Sequence, residues 1–162
     1  MKRLPLFAIL IPACLSMLSG PAAAQNTNLF GPSLQGALHV QFSTLNAPPF
    51  VPPGAKFPAL LVFHGDGTMA AADNDPVDGA GHGVWGRLGN GEYVFTFHTF
   101  EFEPGKGSIG GGKVRGRLTV DPTASTFTGR WQLDFTNPDG TLAFVITGTF
   151  SAKRMVLETL PD

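Results

Sequence analysis

From Leu34 to Met155 apolar and polar residues alternate with a period of two, and the alternation breaks at short clusters of Gly, Asn, Asp and Pro. That period places successive side chains on opposite faces, so each run predicts a strand rather than a helix. The first runs from Leu34 to Thr44, with Leu38, Val40 and Phe42 on one face and His39 and Gln41 on the other. A Pro-rich segment follows, Asn46 to Pro58, whose pairs Pro48-Pro49 and Pro52-Pro53 exclude helix and favour a stiff extended loop able to cross the mouth of a barrel. Ala59 to His64 and Thr68 to Ala72 then flank the turn Gly65-Asp66-Gly67, and an acidic loop from Asp73 to Gly81 leads to a strand at Gly83 to Arg87.

The longest run, Glu92 to Glu103, enters from a Gly89-Asn90-Gly91 turn and carries aromatics on both faces. Tyr93, Phe95 and Phe97 form one set, and Val94, His98, Phe100 and Phe102 the other. Either set is apolar enough to face a core, so the outer one predicts a second layer or self-association. Strands at Gly111 to Val120, Thr126 to Thr136 and Thr141 to Met155 complete the pattern, the last two joined by the turn Asn137-Pro138-Asp139-Gly140.

Eight antiparallel strands in simple succession have two edges to hide, and closing the sheet hides both. The predicted fold is all-β, an eight-stranded antiparallel up-and-down barrel, with a β-sandwich as second choice. Gly116, Gly129 and Gly148 fall on apolar faces, where the absence of a side chain eases tight coiling. The meander resembles the calycin-like group of lipocalins, avidin-type barrels and related bacterial secreted domains. Gly36-Ala37-Leu38 stands where a lipocalin carries its first-strand Gly-x-Trp, with Leu38 in place of the Trp, and Arg154 ends the last strand. The resemblance implies a barrel base closed around that strand and Arg154. Gly81 to Arg154 is also similar to a group of bacterial exported proteins of uncharacterised function.

The N-terminus departs from this grammar. Lys2 and Arg3, an apolar stretch from Leu4 to Leu18, and Ala22-Ala23-Ala24 have the layout of a signal peptide cleaved after Ala24. Residues 1–24 are therefore set apart as a leader, 25–33 as a flexible lead-in, 34–157 as one barrel domain and 158–162 as a tail. The expected location is the bacterial periplasm or medium. The one cysteine, Cys14, lies in the leader, which excludes disulfide and thiol chemistry from the mature chain; Pro12 and the short segment before Cys14 argue against its acylation. Without Lys2 and Arg3, nine basic residues face twelve acidic ones, no footprint for nucleic acid or an anionic membrane.

Candidate chemistry is sparse. His39, His64, His82 and His98 lie on or beside four different strands without ligand spacing, so no metal site is predicted. Asp73-Asn74-Asp75 and Asp78-Gly79 hint at a calcium loop, but the twelfth position is Val84, so a solvated turn is the better reading. Glu101 and Glu103 alternate on one strand and Lys113, Arg115 and Arg117 on the next, which predicts a cross-strand charge ladder. Neither a nucleophile elbow nor a phosphate-binding loop is present, and no catalytic residue and no cofactor is assigned. Fourteen Phe and two Trp supply more aromatic surface than a small core needs. The reading is an exported barrel that binds a small apolar or aromatic ligand at His98, Phe100, Phe102, Trp85, Trp131, Phe135 and Phe144. One alternative is a barrel-type isomerase or cyclase using His98 or Glu101. The other is a structural module that forms a homo-oligomer through the outer face of Glu92 to Glu103.

Overall fold

The structure, a computed structural model, describes residues 33–121, 123 and 125–160. The leader, and the lead-in except for Ser33, lie outside the described residues. Eight strands follow in order: β1 (Gly36–Asn46), β2 (Lys56–Phe63), β3 (Thr68–Asp73), β4 (Gly81–Gly89), β5 (Glu92–Glu103), β6 (Gly107–Val120), β7 (Thr126–Thr136) and β8 (Leu142–Arg154). Each pairs antiparallel with the next, and β1 pairs with β8 to close the barrel. The up-and-down barrel predicted from the alternation is the fold found, and among the described residues there is no helix.

Strand limits differ from expectation mainly where glycine or proline blurs the alternation. The second strand begins at Lys56 rather than Ala59 and includes Pro58 opposite Gln41. The β2–β3 ladder starts only at Ala59, so on that side Pro58 has no partner to which an N–H would be owed. Similarly, β6 begins at Gly107, because the run from Gly107 to Gly112 pairs with β5 despite carrying few side chains.

The interior is built from the inward residues of every strand, including Leu38, Val40, Phe42, Leu61, Phe63, Phe95, Leu118, Trp131 and Phe150. On β5 the competition between the two sets is settled: Tyr93, Phe95 and Phe97 are buried, while His98, Phe100 and Phe102 are exposed. Glycine decides part of that outcome. The Phe95 ring lies across Gly116, and a Cβ there would come within 2.2 Å of it. At Gly148 a Cβ would sit 1.9 Å from the Ser43 carbonyl oxygen, so β8 and the Trp131 indole approach β1 only because that side chain is missing.

The two ends of the barrel differ. At the base, Leu34 is fully buried, and Phe63 packs edge-on against Trp85 and Phe95, with ring centres 5.9 and 6.0 Å apart. Arg154 donates from Nη2 to the Ser33 carbonyl at 2.7 Å and lies over the Phe127 ring at 5.3 Å. Phe127 therefore supplies the aromatic partner at the closed end, where Leu38 cannot. At the other end the β1–β2 connection, the β3–β4 loop and the β5–β6 and β7–β8 turns surround a mouth.

Candidate functional site

Below the mouth the barrel is not filled. A cavity of about 270 Å³ extends inward, walled by Phe42 from β1, Phe57 and Leu61 from β2, Phe97 from β5, Trp131 from β7 and Phe144 from β8. Its space arises where the lining side chains are small, at Ala59 on β2 and Ala71 on β3. The Pro-rich strap places Phe50 and Val51 on its wall, though it is folded by two turns rather than extended as the proline pairs suggested. Backbone hydrogen bonds from Val51 to Pro48 and from Ala55 to Pro52 fold the strap, and Thr44 ties it down by donating to the Pro52 carbonyl at 3.2 Å. Phe50 is 69% exposed yet meets Phe144 edge-on at 5.3 Å.

One side of the mouth is acidic. The β3–β4 loop is shaped by its own carboxylates, since Asp73 accepts from the Asp75 N–H at 2.9 Å and Asp75 from the Val77 N–H at 3.1 Å. Its second half lies along the end of β5: the Gly79 N–H donates to the Phe100 carbonyl at 2.8 Å, and the Phe102 N–H to the Val77 carbonyl at 3.0 Å. A Cβ at Gly79 would sit 2.8 Å from that Phe100 oxygen, so the close docking requires glycine. The result is an isolated bridge between Asp78 and Glu101, both of which line the cavity with Asp73, Asp75 and Thr99.

This placement changes the chemistry of the pair. Burial first, then a hydrogen bond with Asp73 and the charges of Asp73 and Glu101, pushes the Asp78 carboxyl up to about 8. Glu101 is also raised, chiefly by burial and by the charges of Asp75 and Asp73, while its hydrogen bond with Asp78 works the other way. Both carboxyls are therefore harder to ionise than free ones, Asp78 the more so. The Oδ1 atom of Asp78 is buried and has no hydrogen-bond partner. An acceptor enclosed in this way is costly to leave unpaired.

The residues singled out in the sequence separate into three groups. Trp131 and Phe144 line the cavity, and Phe135 stacks on Phe144 with ring centres 4.8 Å apart. Trp85 belongs to the base, where its indole N–H donates to the His64 carbonyl at 2.9 Å. His98, Phe100 and Phe102 are on the outer wall, and His98 is the cross-strand partner of His82 there. His39 and His64 are exposed as well.

The expected charge ladder is not formed. Glu101 and Glu103 lie opposite Gly110 and Gly107, and they share the inward parity of Phe97, whereas Lys113, Arg115 and Arg117 point outward. Arg117 instead pairs with Glu92 at 2.8 Å, Arg115 with Asp134, and Glu103 with Lys106 at 2.7 Å. Sequence reasoning missed Thr99 and read Asp78 as part of a solvated turn, whereas Asp78 is half-buried and bridged to Glu101. The available signal was parity, since Thr99 and Glu101 continue the face of Tyr93, Phe95 and Phe97.

No family model matches the chain, and no curated protein matches it in sequence.

Proposed function

We propose that the protein is a binding module of calycin-like type that holds a small apolar or aromatic ligand inside the barrel. The observation that carries this is the 270 Å³ cavity, whose walls are mainly apolar, built from Phe, Trp, Leu, Ile, Val and Ala side chains. A closed sheet with a filled base and an open, strapped mouth favours carriage, because a ligand can be desolvated without the fold opening. The leader-like residues Lys2 to Ala24 support export, which places the binding in the periplasm or medium.

The direct test is purification of the mature domain from its native host, with mass spectrometry of whatever co-purifies and a native mass for the assembly. A stoichiometric apolar molecule that raises the melting temperature on re-addition is the expected result. An empty protein whose melting temperature responds to no apolar ligand overturns the reading.

A second reading draws on one specific observation, the bridge that sets Asp78 and Glu101 side by side at the edge of an apolar cavity, where burial raises both carboxyls. Two carboxyls in this state suit proton transfer at a carbon of a bound substrate, as an isomerase or cyclase requires. His98 is on the outer wall, so Glu101 and Asp78 would carry that role. Incorporation of solvent deuterium into the co-purified ligand separates this reading from carriage. Self-association would use Phe100 and Phe102, which are 63% and 54% exposed, and the native mass decides it.

A further inference from the structure

The cavity has a size, a wall chemistry and a single hydroxyl, and together they narrow what it can hold. Its volume of about 270 Å³ is a little under twice the roughly 150 Å³ of an apolar cavity that takes up one benzene ring. Two fused rings match that space, whereas a long acyl chain or a larger ring system leaves much of its surface in water. The wall is itself built from rings: Phe42, Phe57, Phe97, Trp131 and Phe144, with Phe50 on the strap. Some of these already meet edge to face, Phe42 with Trp131 at 5.1 Å and Phe50 with Phe144 at 5.3 Å. A flat aromatic body continues such packing; a flexible chain does not, and it loses more rotational freedom on binding.

Polar contacts inside this wall are few. Trp131 turns its indole N–H away from the space, donating to the Ser43 and Thr149 carbonyls at 3.3 and 3.1 Å. Among the described residues that line the cavity, Thr99 carries the only hydroxyl. It follows Phe97 and precedes Glu101 on the inward face of β5, so it stands roughly 7 Å along the strand from the Phe97 position. Among the described residues its hydroxyl has no hydrogen-bond partner, which leaves it able to donate to or accept from a bound molecule. The described lining holds no Lys, Arg or His, so a carboxylate at that level would be buried without a counter-charge and next to Glu101.

From the geometry we infer that the ligand is a compact two-ring aromatic molecule bearing one hydroxyl or carbonyl group, its rings among Phe42, Phe97 and Trp131 and its polar group at Thr99 Oγ1. This rests on the binding-module reading and specifies its ligand class. It also makes Thr99 the residue that orients the molecule, with the polar end toward the mouth and the rings toward the base.

The test is calorimetric titration of the purified mature chain at pH 7 with 2-naphthol, and displacement of 2-naphthol by naphthalene, 2-naphthoate, phenol, 1-hydroxypyrene and 1-octanol. 2-Naphthol is expected to bind roughly twofold to tenfold more tightly than naphthalene, the range for one hydrogen bond, and by a similar factor more tightly than 1-octanol, the range for aromatic pairing. Phenol should be weaker because it buries one ring, 1-hydroxypyrene no tighter because its further rings find no room, and 2-naphthoate weaker by at least roughly tenfold. Thr99→Val keeps the side-chain shape and should bring the naphthol-to-naphthalene ratio close to one, with naphthalene affinity within about twofold of the unmodified protein. Ala59→Leu should fill the space and abolish binding of both. Tighter binding of 1-octanol or 1-hydroxypyrene than of 2-naphthol overturns the two-ring assignment, and an unchanged ratio in Thr99→Val overturns the role of Thr99; either leaves the apolar-ligand reading standing. If no probe binds, both readings fail. Undiminished binding to Ala59→Leu places the molecule outside the cavity and overturns both as well. The ranking of the probes is read on the unmodified protein, so the test holds even where a variant does not fold.

Discussion

Asp78 ties the stability of the fold to pH in the direction opposite to that of an ordinary salt-bridged carboxylate. In the folded chain its carboxyl is raised to about 8 from an ordinary value of 3.8, so between these limits the folded state holds a proton that the unfolded state has lost. Its favourable contribution is complete below the unfolded value and is lost as pH rises through the folded one. The raised Glu101 adds to the same trend. Thermal unfolding followed from pH 4 to 9 should therefore show a falling midpoint toward the alkaline end. Asp78→Asn should flatten that slope and be the more stable protein at pH 9 by on the order of 1 kcal/mol, a figure discounted because the carboxyl is partly solvated. A wild-type midpoint that rises steadily to pH 9 would remove the basis for a raised Asp78 carboxyl. Gly148 shows the packing limit at the same scale. Its added Cβ would meet the Ser43 carbonyl and the Trp131 indole, so Gly148→Ala should cost about 3 kcal/mol in urea unfolding, near the upper end for overpacking. Gly148 was legible as an interior glycine because it falls on the apolar face of a clear alternation. Asp78 was not, because what raises its carboxyl comes from β5 and from a loop folded back upon it, contacts that no local pattern records.

At the level of elements, β5 shows what alternation specifies and where it stops. The run Glu92–Glu103 was read with its observed limits, and its two faces were correctly separated, but both were aromatic and the choice of inner face stayed open. Tertiary packing made that choice: Phe95 requires Gly116 opposite it, and Phe97 requires Gly81, toward which its ring lies. Alanine substitutions on the two faces should therefore differ sharply. Phe97→Ala should lose about 3–5 kcal/mol of stability, the range for a buried Phe, whereas Phe100→Ala should stay within about 0.5 kcal/mol. Urea midpoints at unchanged slope would measure both, and equal losses would place the wrong face inside. The charge ladder failed for a related reason. It assumed that acidic residues on β5 and basic ones on β6 share a face and a register, but the tight turn at Glu103 and Gly107 sets the pairing and turns Glu101 inward. Register is a property of two strands and their turn, and a single strand's pattern cannot supply it.

For the molecule as a whole, closure was legible from the number of hairpin-linked strands, but the cavity was not. Whether a barrel of eight strands is solid depends on summed side-chain volumes at each level. In the base half Phe63, Phe95 and Phe127 fill the section, and in the mouth half Ala59 and Ala71 leave room. This asymmetry assigns the two ends different duties: the base carries stability and the mouth carries exchange. Phe50 tests that division because it lines the cavity from a strap that is mostly solvated, touching the barrel through Phe144. Removing a ring that is already 69% exposed takes little apolar area out of contact, so Phe50→Ala should leave the ligand-free melting temperature nearly unchanged. The same change opens the cover of the cavity and should speed dissociation of a bound apolar ligand several-fold, with association altered less. Phe63→Ala at the base should do the reverse, with a loss of about 3–5 kcal/mol in stability and little effect on the exchange of ligand from the protein that remains folded. Stopped-flow Trp fluorescence is suited to the rates, since Trp131 is part of the cavity wall. If Phe50→Ala and wild type release ligand at the same rate, the strap is not the gate and exchange must pass elsewhere around the rim.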